Sequence, residues 1–148
     1  MTSAPPRRTT TRTLLRTSAV ASIFAFATAA FAPPAAAADT SPAQQLERFA
    51  RAAGGAADAG RGREFFTRTH GGKWSCASCH GNPPLADGKH AGTGKRIDAL
   101  APAANPRAFT DTARVDKWFK RNCNDVLKRE CTPAEKADVL AWLAALPR

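Results

Sequence analysis

The chain has 148 residues, room for one domain and a targeting segment. Its 22 Lys and Arg against 12 Asp and Glu give a formal charge of +10, but no basic groove interleaved with aromatics goes with it, which argues against nucleic acid as a partner. Four cysteines, one methionine and no tyrosine are the most restrictive features of the composition.

The first 38 residues read as a secretory signal peptide. Arg7, Arg8, Arg12 and Arg16 form a basic start without an acidic residue. Residues 18–32 are a short apolar run, and Ala35, Ala36, Ala37 and Ala38 offer small side chains for cleavage before Asp39. The run is shorter than the roughly 20 residues of a membrane span, so no stable membrane insertion is expected after cleavage; a retained N-terminal anchor is the competing reading. Arg7-Arg8 resembles a twin-arginine signal, but the hydrophobic residues that usually follow such a pair are missing. Residues 39–148 are then the mature domain, in the periplasm. Four basic and no acidic residues leave with the leader, so the net charge becomes +6. Such a charge outside the cytoplasm suits acidic protein partners or anionic surfaces.

Ser41-Pro42-Ala43-Gln44 opens the first helix as a capping box with Pro in the first turn. Leu46, Phe49, Ala50 and Ala53 follow at helical spacing, and Gly54-Gly55 stops them. A second helix is predicted over 57–67, with Gly62 and Phe66 on one face and Gly62 leaving room for another backbone. Residues 71–94 are loop-rich, apart from a short helical turn around Cys76 and Cys79. Residues 100–106 hold too much proline for a long helix. Thr110 or Asp111 caps the next helix, where Val115, Trp118, Phe119 and Asn122 share a face. Thr132-Pro133-Ala134-Glu135 is a second capping box, and Val139, Leu140, Trp142, Leu143 and Leu146 form the buried stripe of the last helix. Nothing alternates with period two, so the domain is predicted to be all-α.

Cys76-Ala77-Ser78-Cys79-His80 is C-x-x-C-H, the attachment sequence of c-type haem. Each thiol adds to a haem vinyl group, and the adjacent His80 is held at the iron as proximal ligand. A thioredoxin-like pair would need a βαβ setting, and a zinc site a second pair of ligands at suitable spacing; neither is present in the sequence. Gly92-Thr93-Gly94-Lys95 is not a phosphate loop, because Lys89 and Arg96 stand where Gly and Ser or Thr are required. Lys95, Arg96 and Arg107 are candidates for pairing with haem propionates or are simple solvated charges.

Cys123 and Cys131 remain. An oxidising compartment favours a disulfide between them, worth about 2–3 kcal/mol in the chain-entropy model. It reads as a staple between two helices or, since Cys123 follows Asn122, as a redox-sensitive clamp on the sixth iron position.

Electron-carrying cytochromes c commonly use methionine as sixth ligand. The one methionine here is Met1, in the leader. The remaining candidates are His70, His90, Asn122, a lysine, water or nothing. Asn122 stands out because a carboxamide on an apolar helix face needs a partner, and burying it unpaired costs about 1–3 kcal/mol. A hydrogen bond to backbone at the helix end is the alternative for that side chain.

Residues 109–143, FTDTARVDKWFKRNCNDVLKRECTPAEKADVLAWL, resemble the SHP family, the asparagine-ligated, oxygen-binding class I cytochromes c. The likeness extends to Asp39-Thr40-Ser41-Pro42-Ala43, Thr93-Gly94-Lys95 and Leu100-Ala101-Pro102, and so over nearly the whole mature chain. The resemblance implies a class I cytochrome c fold around one covalent haem c, with His80 proximal and Asn122 as the ferric sixth ligand. It implies that Asn122 leaves on reduction and opens a site for O₂, NO or similar ligands. It further implies a Cys123–Cys131 disulfide beside that site and a dihaem cytochrome c as electron donor.

Two functions are therefore expected. One is an electron-transfer protein that binds small gases when reduced, with weak NO dioxygenase or peroxidase activity at most; only His70 or His90 could serve as a distal acid–base group. The other is a plain carrier with a fixed bis-His haem, docking another cytochrome through Lys117, Lys120, Arg121, Lys128 and Arg129. A gas or redox sensor is the least favoured, since no output domain is attached.

Overall fold

Ser41 starts the first helix as its sequence predicts. The structure, a computed structural model, describes Met1 and residues 38–147, so nearly all of the expected signal peptide lies outside the described residues. The Ser41 hydroxyl accepts from the Gln44 N–H at 3.2 Å, and Pro42 takes the first position of α1 (Pro42–Ala53). Gly54 ends the helix with φ +68°, a left-handed cap that returns its N–H to the helix carbonyls. The side-chain return bond of a full capping box is absent from Gln44 among the described residues.

Helix α2 (Ala59–Thr67) begins two residues later than the periodicity suggests. Asp58 is its cap: the carboxylate accepts from the Arg61 N–H at 2.7 Å, which requires extended backbone at Asp58. Gly62 and Phe66 are both buried. A side chain at Gly62 would run into the carbonyl of Asp138, so the backbones of α2 and the last helix touch there, as the glycine predicts.

The attachment motif makes the short helix α3 (Ala77–His80). Two-residue strands β1 (Gly88–Lys89) and β2 (Arg96–Ile97) then pair antiparallel, Gly88 opposite Ile97. Strands this short carry no alternation to read, and they leave the all-α class intact. Residues 100–106 are turns, held where the Leu100 and Ala101 N–H groups donate to the buried Pro84 carbonyl at 3.2 and 3.0 Å.

Of the two possible caps for α4 (Thr112–Leu127), Asp111 serves, accepting from the Arg114 N–H at 2.8 Å. Helix α5 (Pro133–Ala145) has the reciprocal capping box: Thr132 accepts from Glu135 at 3.2 Å and Glu135 accepts from Thr132 at 2.8 Å. Arg129 grips the same carboxylate with two bonds of 2.8 and 2.6 Å.

That Arg129 bond, with help from Thr132, holds the Glu135 carboxyl below the usual carboxylate range. A depressed folded value contributes stability above the unfolded pKa of about 4.3, and the contribution disappears as pH falls through the folded value. Glu135→Gln is therefore expected to melt a few degrees below the parent at neutral pH, with the gap closing toward about pH 3. Thermal melts at the two pH values check this; an unchanged gap would assign the effect to packing instead.

Helix α5 is the centre of the core. Phe49 and Val115 pack with its Ala137 and Leu140, while Phe66 packs with its Val139, Trp142 and Leu143. Phe109 touches both groups and joins them. Leu146, predicted in the stripe, is partly buried at the helix end. Asp138 is a buried acid amid these residues, with its carboxylate accepting from the Asp58 N–H at 2.6 Å and from Arg61 at 2.8 and 2.9 Å. The network satisfies a charge that would otherwise be costly to bury and ties the start of α2 to α5. Among the described residues, no helix is long and apolar enough to cross a membrane.

Candidate functional site

Helix α3 gathers three of the predicted site residues within one turn. Ser75 and Ser78 shape it: the Ser75 N–H donates to the Ser78 hydroxyl at 2.9 Å, and the Ser78 N–H donates to the Ser75 hydroxyl at 3.2 Å. Cys76 and Cys79 are free, half-buried thiols. Burial pushes the Cys76 thiol up to about 11. The hairpin covers Cys79, whose sulfur accepts from the Ala91 N–H at 3.3 Å. A side chain at Gly88 would collide with the Cys79 carbonyl, so only glycine lets β1 rest there.

His80 ends α3 close to Phe66, ring centroids 6.1 Å apart. Burial lowers the pKa of its imidazole and so favours the neutral ring that a metal requires. Its Nδ1 is buried without a partner. A neutral imidazole left unsatisfied beside two free thiols is the donor set that fits a covalently attached haem. Among the described residues no three His, Cys, Asp or Glu side chains come together as a metal site of their own.

Asn122 lies on α4, a different element. The helix runs on to Leu127 and is capped by Lys128, so Asn122 stands inside it and not at its end. The backbone bond considered for Asn122 belongs instead to Asn124, whose Nδ2 donates to the Lys120 carbonyl at 2.8 Å. The Asn122 carboxamide is half-buried, with no hydrogen bond among the described residues. The residues predicted to share a face with Asn122 differ in burial. Val115 is buried and Phe119 meets Phe49 edge-on at 5.5 Å, whereas Trp118 is 41% exposed, flanked by Lys117 and Arg121. Cys123, one residue past Asn122, is bonded to Cys131 with Cα atoms 5.6 Å apart, joining α4 to the start of α5.

The two loop histidines are engaged locally. His70 has φ +54° and bonds through Nε2 to the Phe65 carbonyl at 2.8 Å. His90 accepts on Nδ1 from the Gly92 and Thr93 N–H groups at 3.2 and 3.1 Å. Arg96, a propionate candidate, pairs with Asp87 and Asp98. In the predicted docking patch Lys120 and Arg129 are paired with Glu130 and Glu135. Sequence reasoning missed Ser75, Gly88 and Ala91; the Ser-x-x-Ser spacing interleaved with the cysteines was the readable signal for the first.

A family described as a domain of unknown function (DUF1924) matches residues 52–143. Cytochrome c-type protein SHP of Cereibacter sphaeroides is 55% identical over 129 residues, spanning 82% of this chain and 97% of that protein. Cytochrome c'' of Methylophilus methylotrophus is 46% identical over 86 residues, 55% of this chain and 60% of that one. Among solved structures, oxidised SHP, described as an oxygen-binding cytochrome c, superposes with a TM-score of 0.67 at 54% identity, covering 73% of this chain and 99% of its own. Crystalline oxidised cytochrome c'' follows at 0.66 and 36% identity, covering 72% and 95%. The chain thus belongs to the SHP family of class I c-type cytochromes, whose all-α fold surrounds a covalently attached haem c.

Proposed function

We infer that this cytochrome is exported to the periplasm, loses residues 1–38, and works as an electron-transfer protein that takes up a small gas when reduced. Cys76 and Cys79 form the thioethers and His80 is the proximal ligand. Asn122 occupies the sixth position of the oxidised protein and gives it up on reduction. O₂, which the SHP relative is described as binding, and NO are the ligands proposed for this chain. A dihaem or other cytochrome c donates the electron.

The observation that carries this reading is Asn122, a half-buried residue in mid-helix whose carboxamide has no hydrogen bond among the described residues. A carboxamide with no partner among the described residues is free to take one outside the protein chain. An amide oxygen is hard and neutral, better suited to ferric than to ferrous iron. Haem c supplies one-electron exchange and, when reduced, affinity for neutral diatomic ligands. Asn122 therefore couples gas uptake to redox state, since both act on one ligand equilibrium. The Cys123–Cys131 disulfide braces α4 immediately beside that residue.

Absorption spectra of the purified holoprotein, with and without CO, test the reading. The reduced protein is expected to be high-spin and to convert fully with CO. A low-spin reduced spectrum unmoved by CO would overturn it in favour of a fixed bis-His carrier using His70 or His90.

A further inference from the structure

The first residues of the mature domain are built into the first turn of α4. The Asp39 backbone N–H donates to the Thr110 carbonyl at 3.1 Å. Its carboxylate accepts from the Thr112 N–H at 2.9 Å and from the Thr112 hydroxyl at 3.3 Å. Thr112 is the first residue of α4, so Asp39 satisfies one of the N–H groups the helix leaves open and places negative charge at its positive end. Behind this contact lies Gln45, only 2% exposed. Its Nε2 donates to the hydroxyls of Thr40 at 2.9 Å and Thr112 at 3.0 Å, while its Oε1 accepts from Arg48 at 2.9 Å. Arg48 reaches on to α4, pairing with Asp116 at 2.6 and 3.2 Å.

Besides the packing of Val115 and Phe119 in the core, polar and covalent ties hold α4 near both of its ends. The disulfide fixes it at Cys123. Rotation about its own axis, and tilt about that fixed point, are restrained at the other end by Asp39, Gln45 and Arg48. Asn122 lies between the two anchors, where a small rotation of the helix swings its unbonded carboxamide.

The geometry points to Asp39, Gln45 and Thr112 as positioning residues that set how firmly Asn122 holds the sixth position. The inference rests on the proposed role of Asn122. It also gives the new amino terminus a part in ligand control. A mature chain beginning at Asp39 keeps the carboxylate on α4, and one trimmed by a single further residue loses it.

Imidazole binding to the ferric holoprotein is the test, because imidazole must compete with Asn122. Asp39→Ala and Thr112→Val are expected to raise imidazole affinity about 3- to 10-fold, while Asp39→Asn, which keeps an acceptor oxygen, stays near the parent. Asp58→Ala, which removes the cap of α2, serves as the control for a comparable fall in Tm. If Asp58→Ala raises affinity as much as Asp39→Ala, the effect is global loosening and the relay is wrong. If Asn122→Ala raises affinity and Asp39→Ala leaves it unchanged, the relay fails while the ligand assignment stands. If Asn122→Ala itself leaves affinity unchanged, the ligand assignment fails and takes the relay with it.

Discussion

Replacing Asn122 by alanine is expected to raise the apparent affinity of the ferric protein for imidazole about 100-fold. The figure follows from population arithmetic. A carboxamide occupying the sixth position in about 99% of ferric molecules leaves about 1% competent to bind, and removing it releases that restriction. The same variant should change the absorption spectrum of the oxidised state, while CO binding by the reduced state changes little, because the side chain has already left. Alanine is the best helix former and Asn122 gives up no hydrogen bond among the described residues. Thermal stability should therefore hold, which separates ligand loss from unfolding. Spectra and imidazole titrations of the two proteins decide the matter. Equal affinities would remove Asn122 from the site.

Replacing Cys76 and Cys79 together by alanine is expected to abolish covalently bound haem. The two are free thiols on the same short helix as His80, and the remaining cysteines, Cys123 and Cys131, are bonded to each other. No other thiol stands ready among the described residues to form a thioether. The assay is haem staining after denaturing electrophoresis, which detects attached haem alone. Staining that survives the double replacement would place the attachment elsewhere. The single replacements should each keep one thioether and give intermediate retention, and Cys79→Ala additionally removes the sulfur that accepts from Ala91.

The parts of this protein that the sequence made legible are those governed by neighbours in the chain. Thr132 and Glu135 bond each other across one turn, Gly54 stops α1 through its own left-handed backbone, and the C-x-x-C-H spacing is fixed by one turn of α3. Gly62 was readable because a glycine on an apolar helix face has few other uses. Gln45 and Asp138 were not readable. Each is a polar residue inside a helix, and its burial depends on a partner brought from far along the chain, Thr112 for one and Arg61 for the other. The hairpin over Cys79 escaped because two-residue strands have no period. How deeply each residue of the Val115 face is buried was not readable from spacing either: Trp118 is 41% exposed.

Helices α1 and α5, from opposite ends of the domain, bury one another: Phe49 finds its place against Ala137 and Leu140. Contacts between the two ends of a chain form only once the whole chain is present, and closing so long a loop is slow. A ribosome that has made α1 but not α5 therefore holds a chain with no finished core. Under the proposed export, delay of this kind keeps the chain open until it has crossed the membrane, and it leaves α3 accessible while haem is attached.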